Sequence, residues 1–129
     1  MMPNDNDAVR LSSLPKTWIM DLDGTVVKHN GYIVDGNDAL LKGAKEFLAG
    51  IPETDMIVFI TARTSDLSAI TEGFLNGNNI RYDQIIYNAP YGERILINDK
   101  KPSGLKTAIA VNTERDVFCD TRFVIDPDL

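Results

Sequence analysis

A strand-like apolar run that ends in two aspartates constrains this chain more than any other feature. Residues 17–20 lead directly into residues 21–25, which read Asp-Leu-Asp-Gly-Thr. Side chains two positions apart on a strand point to the same side, so the carboxylates of Asp21 and Asp23 can flank one small volume. Oxygen ligands of this kind suit Mg²⁺, which proteins often hold with one or two carboxylates and the oxygens of a phosphate.

The residues after the two aspartates support the same chemistry. Gly24 permits an abrupt exit from the strand, and Thr25 offers a hydroxyl and a backbone N–H to a phosphate. Aspartate can also act as a nucleophile that forms an aspartyl-phosphate. The alternative is an ordinary turn, because Asp and Gly are common in loops. The apolar run directly before Asp21 favours a site at the end of a strand.

Two further strand-like runs end in polar residues. The run over residues 57–60 is followed by Thr61, and the run over residues 95–97 is followed by Asn98 and Asp99. In a parallel sheet the carboxyl ends of the strands share one edge, where such folds bind their ligands. We therefore expect these polar residues to meet the aspartate pair at that edge.

Together these three motifs carry a resemblance to a known family. Their spacing is regular, with 40 positions between Asp21 and Thr61 and 38 between Thr61 and Asp99. From about Thr17 onwards the chain resembles the haloacid dehalogenase (HAD) superfamily of phosphatases and phosphotransferases. The segment 90–92, Pro-Tyr-Gly, is similar to small members found near bacterial polysaccharide biosynthesis genes.

The resemblance implies a fold and an activity. It implies a three-layer, Rossmann-like α/β fold with a mostly parallel central sheet. No long insertion follows Asp23 or separates Thr61 from Asp99, so a large cap domain is not expected. The implied activity is that of a Mg²⁺-dependent hydrolase of phosphoric monoesters, or phosphotransferase, acting through an aspartyl-phosphate. Its substrate would be a phosphorylated sugar, a nucleotide-sugar or another small metabolite. The alternative is a catalytically degenerate HAD-like protein that binds a phosphorylated ligand or a protein partner.

The resemblance also assigns roles to individual residues. Asp21 would be the nucleophile, and Asp23 the general acid and then the general base. Thr61 would hydrogen-bond the phosphoryl oxygens. The implied metal-binding set, in which the second aspartate uses its backbone carbonyl, is Asp21, Asp23, Asn98 and Asp99.

Substrate binding and charge neutralisation involve a second group of residues. The residues expected to bind substrate are Gly24, Thr25, Ala62 and Arg63. For Arg63, capping of the next helix or exposure to solvent is an equal alternative. The family needs a basic residue beside the phosphate, but Ala89 stands where similar small members carry Lys. We expect Lys101 to replace it, with Lys100 and Arg94 as the alternatives.

Composition limits the partners and the compartment. The chain of 129 residues has a net charge of −6, which argues against nucleic acid and anionic membranes as partners. Cys119 is the only cysteine, so no internal disulfide can form, and this fits a cytoplasmic protein. No apolar run reaches the length of a membrane span. The expected partners are a phosphorylated small molecule and, over an open site, a second copy of the chain or another covering protein.

The order of the elements predicts an α/β architecture. Residues 1–15 read as a flexible N-terminal arm and residues 16–129 as one HAD-like domain. A hairpin-like turn is predicted at residues 29–31. Strands are predicted at residues 16–21, 56–60, 84–87, 94–97 and 122–125. Helices are predicted at residues 38–49, 66–75 and 104–111. Strands that alternate with helices form parallel sheets.

Overall fold

A computed structural model describes residues 8–129 of the chain. Their backbone forms two compact units. The first, here called the sheet unit, comprises Pro15–Tyr91 and Thr113–Cys119. The second unit comprises residues 8–14, 92–112 and 120–129. The elements in chain order are β1 (Val9–Leu11), β2 (Thr17–Asp21), α1 (Gly31–Val34), α2 (Ala44–Ala49), β3 (Met56–Ile60), α3 (Ser68–Gly77), β4 (Gln84–Ile86) and β5 (Phe123–Ile125).

The sheet unit is built on three parallel strands in the order β2-β3-β4. The middle strand, β3, buries three successive residues, Ile57, Val58 and Phe59. Burial of consecutive residues means that both faces of β3 are covered, as is usual for a parallel sheet. Burying a side chain of this size contributes about 1.5–3 kcal/mol. The predicted strands at residues 56–60 and 84–87 and the first strand of the aspartate motif are confirmed.

The segment after the aspartate motif differs from the prediction. In place of a tight hairpin turn at residues 29–31, Asn30 adopts a left-handed conformation (φ 55°) and α1 begins at Gly31. The chain nevertheless reverses direction, because the Lys28 N–H donates to the Ala39 carbonyl and the Leu41 N–H donates to the Val26 carbonyl. The turn prediction was therefore wrong in its length, since a longer loop with its own helical turn joins the two paired stretches.

This pairing also shortens the next helix. A helix was predicted over residues 38–49, but α2 begins only at Ala44. Residues 39–41 are engaged with the chain at residues 26–28, and Gly43, in a left-handed conformation (φ 88°), separates them from the helix. The helix ends at Gly50, as predicted. A single 3-10 turn, Ser65–Leu67, precedes α3, which runs to Gly77.

The second unit contains one parallel strand pair, β1 with β5. Residues 9–11 therefore form a strand, and the prediction of a loose arm was wrong for them; residues 1–7 of that arm lie outside the described residues. The strand predicted at 94–97 is irregular and exposed, with Ile95 82% and Ile97 91% accessible. A β-rich sequence forms a strand only when another strand is beside it.

The helix predicted at residues 104–111 is also absent from the second unit, where this segment is irregular. The Thr107 hydroxyl donates to the Asp99 carbonyl and accepts a hydrogen bond from the Asn98 side-chain amide. Gly104 is left-handed (φ 98°). A helix of this length is marginal by itself, and local hydrogen bonds from Thr compete with it.

The fold is thus a small α/β structure with parallel sheets, as expected for a Rossmann-like chain. No helix within residues 8–129 has the length and apolar character needed to cross a membrane. For the site, the important result is that Asp21 ends β2 directly opposite Ile60, the last residue of β3. Asp21 and Thr61 therefore lie at the same edge of the sheet.

Candidate functional site

A polar cavity of about 250 Å³ opens beside the carboxyl end of β2. Four of the residues that line it belong to the aspartate motif, and two come from much later in the sheet unit. The lining residues are Asp21, Asp23, Gly24, Thr25, Thr113 and Arg115. Asp21 and Asp23 therefore both line this cavity.

Gly24 shapes the loop that carries these side chains. It is left-handed (φ 85°), and its N–H donates to the Val27 carbonyl at 2.7 Å. The N–H groups of Thr25, Val26 and Val27 all point back to the Leu22 carbonyl. This tight loop leaves the Thr25 hydroxyl 3.4 Å from a carboxylate oxygen of Asp21. Thr25 and Asp21 can therefore contact the same small ligand.

Thr61 follows β3 and is fully buried. Its N–H donates to the Ile86 carbonyl, and its side-chain oxygen accepts a hydrogen bond from the Arg63 N–H at 3.1 Å. The Ala89 N–H donates to the Thr61 carbonyl. The position where similar chains carry Lys is therefore next to Thr61, at the carboxyl edge of the sheet. Ala62, expected to bind substrate, lies between Thr61 and Arg63 and is partly buried.

Arg63 is the centre of a buried hydrogen-bond network. Its Nε and Nη2 groups donate to the two oxygens of Asp23, both at 2.9 Å. Its Nη1 and Nη2 groups donate to the two oxygens of Asp38 at 3.1 and 2.7 Å. The remaining Nη1 donor reaches the Thr71 hydroxyl at 2.9 Å. All five N–H donors of the guanidinium are therefore used within the protein.

The surroundings of Arg63 keep it charged. Burial opposes the charged form, but the hydrogen bonds and charges of Asp23 and Asp38 outweigh burial and raise the pKa of Arg63 above its ordinary value. The side chains of Arg63 and Asp38 are each only 2% exposed. The ring of Tyr32 lies over the guanidinium, 4.2 Å from its Cζ. Neither capping of the next helix nor exposure to solvent describes Arg63, and in this conformation no donor remains for a phosphate.

A second feature of the site is the segment Thr113–Cys119, here called the returning segment. The Asp116 N–H donates to the Gly24 carbonyl at 2.8 Å, and the Asp116 carboxylate accepts a hydrogen bond from the His29 N–H at 2.7 Å. The ring of Phe118 packs edge-on against Phe47, with 5.3 Å between ring centres. The returning segment is thus attached both to the aspartate loop and to the core.

Arg115 reaches the cavity from this segment. A Cβ built on Gly24 would lie 3.3 Å from the Arg115 Cγ, so the stem of Arg115 passes close to the glycine backbone. Sequence analysis did not find Arg115 or Thr113, because no motif marks residues 113–116 and about 90 positions separate them from Asp21. The one available signal was the charged run Glu-Arg-Asp at 114–116.

The remaining candidates lie in the second unit. The Asn98 side-chain amide donates to the Thr107 hydroxyl at 3.0 Å, and the Asp99 carbonyl accepts from that hydroxyl. Lys101 is exposed, and its backbone forms a turn with Gly104 and Leu105. The expectation that these side chains join Asp21 and Thr61 stays a prediction.

The metal-binding groups of the sheet unit fit Mg²⁺ only if a bound ligand supplies further oxygen atoms. Across residues 8–129, no three or more His, Cys, Asp or Glu side chains form a group that could hold a metal ion. Asp21 contributes a carboxylate to the polar cavity, whereas both side-chain oxygens of Asp23 accept hydrogen bonds from Arg63. Mg²⁺ commonly uses one or two carboxylates, waters and phosphate oxygens. The Asp21 carboxylate suits that mode of binding.

Comparisons with known proteins give one structural similarity. No protein-family model matches the chain, and no curated protein matches it either. A chain of a solved structure described as "Structure of Pnkp1/Rnl/Hen1 complex" is similar, with 27% sequence identity and a TM-score of 0.50. The match covers 64% of this chain and 31% of that chain, so this protein corresponds to about a third of the length of its structural neighbour.

Proposed function

We propose that this protein is a Mg²⁺-dependent phosphatase or phosphotransferase that works through an aspartyl-phosphate, as members of the HAD superfamily do. The observation that carries the proposal is the polar cavity at the carboxyl end of β2, which Asp21, Asp23, Gly24 and Thr25 line together. Ligands of open parallel sheets bind at this edge. The buried Thr61, which directly follows the neighbouring strand β3, supports the same proposal.

The two aspartates have different chemical roles in the proposed reaction. A carboxylate oxygen of Asp21 attacks phosphorus, and the bond from phosphorus to the leaving oxygen breaks. Asp23 gives a proton to the leaving oxygen, then takes one from the water that hydrolyses the aspartyl-phosphate. Arg63 fixes the carboxyl of Asp23 through both oxygens, and one lone pair on each oxygen remains for the proton. Thr25 donates to the phosphoryl group.

Magnesium would be held by the Asp21 carboxylate and the Asp23 backbone carbonyl, and Asn98 and Asp99 complete the metal-binding set that the resemblance implies. When bound, it supplies positive charge to the phosphoryl oxygens. The proposed substrates are phosphorylated sugars, nucleotide-sugars and other small phosphate esters. No long insertion follows Asp23 or separates Thr61 from Asp99 in the sequence, so we further propose that a second copy or another protein covers the cavity.

The test is phosphate release from p-nitrophenyl phosphate, with and without Mg²⁺. We expect activity from the wild type only with the metal, and none from Asp21→Asn, because an amide is a poor nucleophile. Asp120→Asn, the same chemical change at an exposed position of the second unit, is the control. Equal rates for wild type and Asp21→Asn would rule out the aspartyl-phosphate.

One observation favours a second candidate, a protein that binds a phosphorylated ligand without turning it over. The two hydrogen bonds from Arg63 hold the Asp23 carboxyl in a fixed charged pair, which suits binding better than repeated proton transfer. Saturable binding of phosphate esters without product over many hours, at every Mg²⁺ concentration, would support this candidate against the enzyme.

A further inference from the structure

We propose that Arg115 binds the phosphate group in this cavity and supplies the positive charge that the substitution of Lys by Ala89 removes. The inference rests on the proposed function for the nature of the ligand. Arg115 lies outside all three strand-end motifs. Arg115 is the one basic residue among the described residues that line the cavity. An arginine fork suits a tetrahedral phosphate because two parallel N–H groups can donate to two oxygens.

The two arginines near the aspartate pair differ in what they can still bind. Arg63 donates to Asp23, Asp38 and Thr71 with every N–H that it has. In contrast, no carboxylate within residues 8–129 pairs with the Arg115 guanidinium. A guanidinium that lines the polar cavity and forms no ion pair with a carboxylate is available to a bound anion.

The backbone holds Arg115 at the cavity through Asp116 on one side and Gly24 on the other. Asp116, the next residue, is left-handed (φ 63°), which is rare outside glycine and costs free energy unless other contacts fix it. Its N–H and its carboxylate are both bonded to the loop of residues 24–29. On the other side, Gly24 has no side chain to block the Arg115 stem. These contacts hold the backbone and stem of Arg115 at the cavity that Asp21 also lines, without using the guanidinium.

Binding of inorganic phosphate, measured by titration calorimetry with Mg²⁺ present, tests the proposal directly. Arg115→Met removes the charge but keeps an unbranched stem beside Gly24, and Arg115→Lys keeps the charge without the fork. We expect Arg115→Met to weaken phosphate binding roughly ten- to hundredfold, the range of one lost charge-assisted contact. The phosphate affinity of Arg115→Lys should lie between those of the wild type and Arg115→Met. The control is Lys45→Ala, which removes an equal charge from an exposed position of α2.

Activity gives a second, separate readout. If the protein turns over p-nitrophenyl phosphate, Arg115→Met should raise KM and weaken inhibition by phosphate to a similar extent. Equal phosphate affinity in wild type and Arg115→Met would overturn the role of Arg115, even in an active enzyme. A loss of phosphate binding in Arg115→Met, in a protein that never releases product, would support Arg115 and refute the catalytic proposal. A loss confined to Lys101→Ala would transfer the role to Lys101 and overturn the proposal for Arg115.

Discussion

At the scale of single residues, Arg63 joins parts of the chain that are far apart in sequence. Its guanidinium holds Asp23 from the aspartate loop, Asp38 from the segment before α2 and Thr71 from α3. Charges this deeply buried are stable only in pairs that satisfy each other. Arg63 is therefore a structural and positioning residue for Asp23.

Replacement of Arg63 should destabilise the folded protein strongly. We expect Arg63→Ala to lower the free energy of unfolding by about 3–5 kcal/mol, because Asp23 and Asp38 would lose their counter-charge. Arg63→Lys should recover only part of this, since an ammonium cannot donate to both carboxylates as a fork does. The control is Arg10→Ala, which breaks the exposed pair with Asp126 and should cost at most about 1 kcal/mol. Urea unfolding of the three variants measures the difference; equal costs at both arginines would contradict the network.

Replacement by alanine should have a different effect at Gly24 than at Gly36, a glycine with similar backbone geometry. Gly24 and Gly36 have φ values of 85° and 80°, but a Cβ on Gly36 would meet nothing within 4 Å. Both alanine variants should lose roughly 1–2 kcal/mol through the left-handed backbone. Only Gly24→Ala should also weaken phosphate binding, because its methyl group displaces Arg115. Thermal unfolding and phosphate titration separate the two effects; unchanged phosphate affinity in Gly24→Ala would count against the close approach.

Among the residues that line the cavity, sequence analysis singled out only those of the contiguous motif, Asp21, Asp23, Gly24 and Thr25. Asp21, Asp23 and Thr25 were found because their spacing on a strand end is a local property. Arg63 was given a substrate role, since sequence alone cannot show that Asp38 and Thr71 take up its donors. Arg115 was missed because only the folded chain brings it to Gly24.

At the scale of elements, β3 is fixed to β2 by a carboxylate that precedes it. Asp55 is buried, and its two oxygens accept hydrogen bonds from the Lys16 N–H and the Trp18 indole N–H, both at 3.0 Å. Burial raises its pKa, but these hydrogen bonds outweigh it and leave the pKa of Asp55 below the ordinary value of 3.8. Asp55 thus aligns the start of β3 with β2.

Asp55→Ala should destabilise the sheet in a pH-dependent way. Hydrogen bonds to a charged group contribute about 1.5–3 kcal/mol, so the loss near neutral pH should be of this size. Because the folded pKa is the lower one, the stabilisation is present above pH 3.8 and is lost as the pH falls through the folded value. Unfolding of wild type and Asp55→Ala from pH 7 to pH 2 should therefore converge at the acidic end. A constant difference across this range would show that Asp55 acts without its charge.

Elements that depend on local sequence were predicted well. β3, β4 and the end of α2 at Gly50 followed from short-range patterns. The errors fall where a distant partner decides the outcome. Residues 9–11 become a strand because β5 is beside them, and residues 94–97 remain irregular despite a strand-like composition.

At the scale of the whole molecule, ligand binding and stability are linked. Anything that binds only the folded protein raises its stability, by about 2.7 kcal/mol when the ligand is at a hundred times its Kd. In the proposed site, phosphate oxygens would complete the set of Mg²⁺ ligands that begins with the Asp21 carboxylate. Mg²⁺ and phosphate together should therefore raise the unfolding temperature more than the sum of their separate effects.

Thermal scans with Mg²⁺, phosphate and both test this coupling. The additional rise in unfolding temperature with both ligands should disappear in Asp21→Asn, which removes the carboxylate. It should persist in Asp120→Asn. An identical extra shift in Asp21→Asn would place the ions elsewhere on the protein.

The position of the returning segment in the chain has a consequence for how the protein acquires its site. The three-stranded sheet needs only residues 17–86, whereas the segment that bears Arg115 begins at Thr113. Contacts between near neighbours in sequence form sooner than contacts that close long loops. On a ribosome, where the N-terminal part emerges first, the sheet and its aspartates can fold before Arg115 has been synthesised. Until then the nascent chain would present two carboxylates without the cation that we assign to phosphate binding, so ligand capture would be among the last steps of maturation.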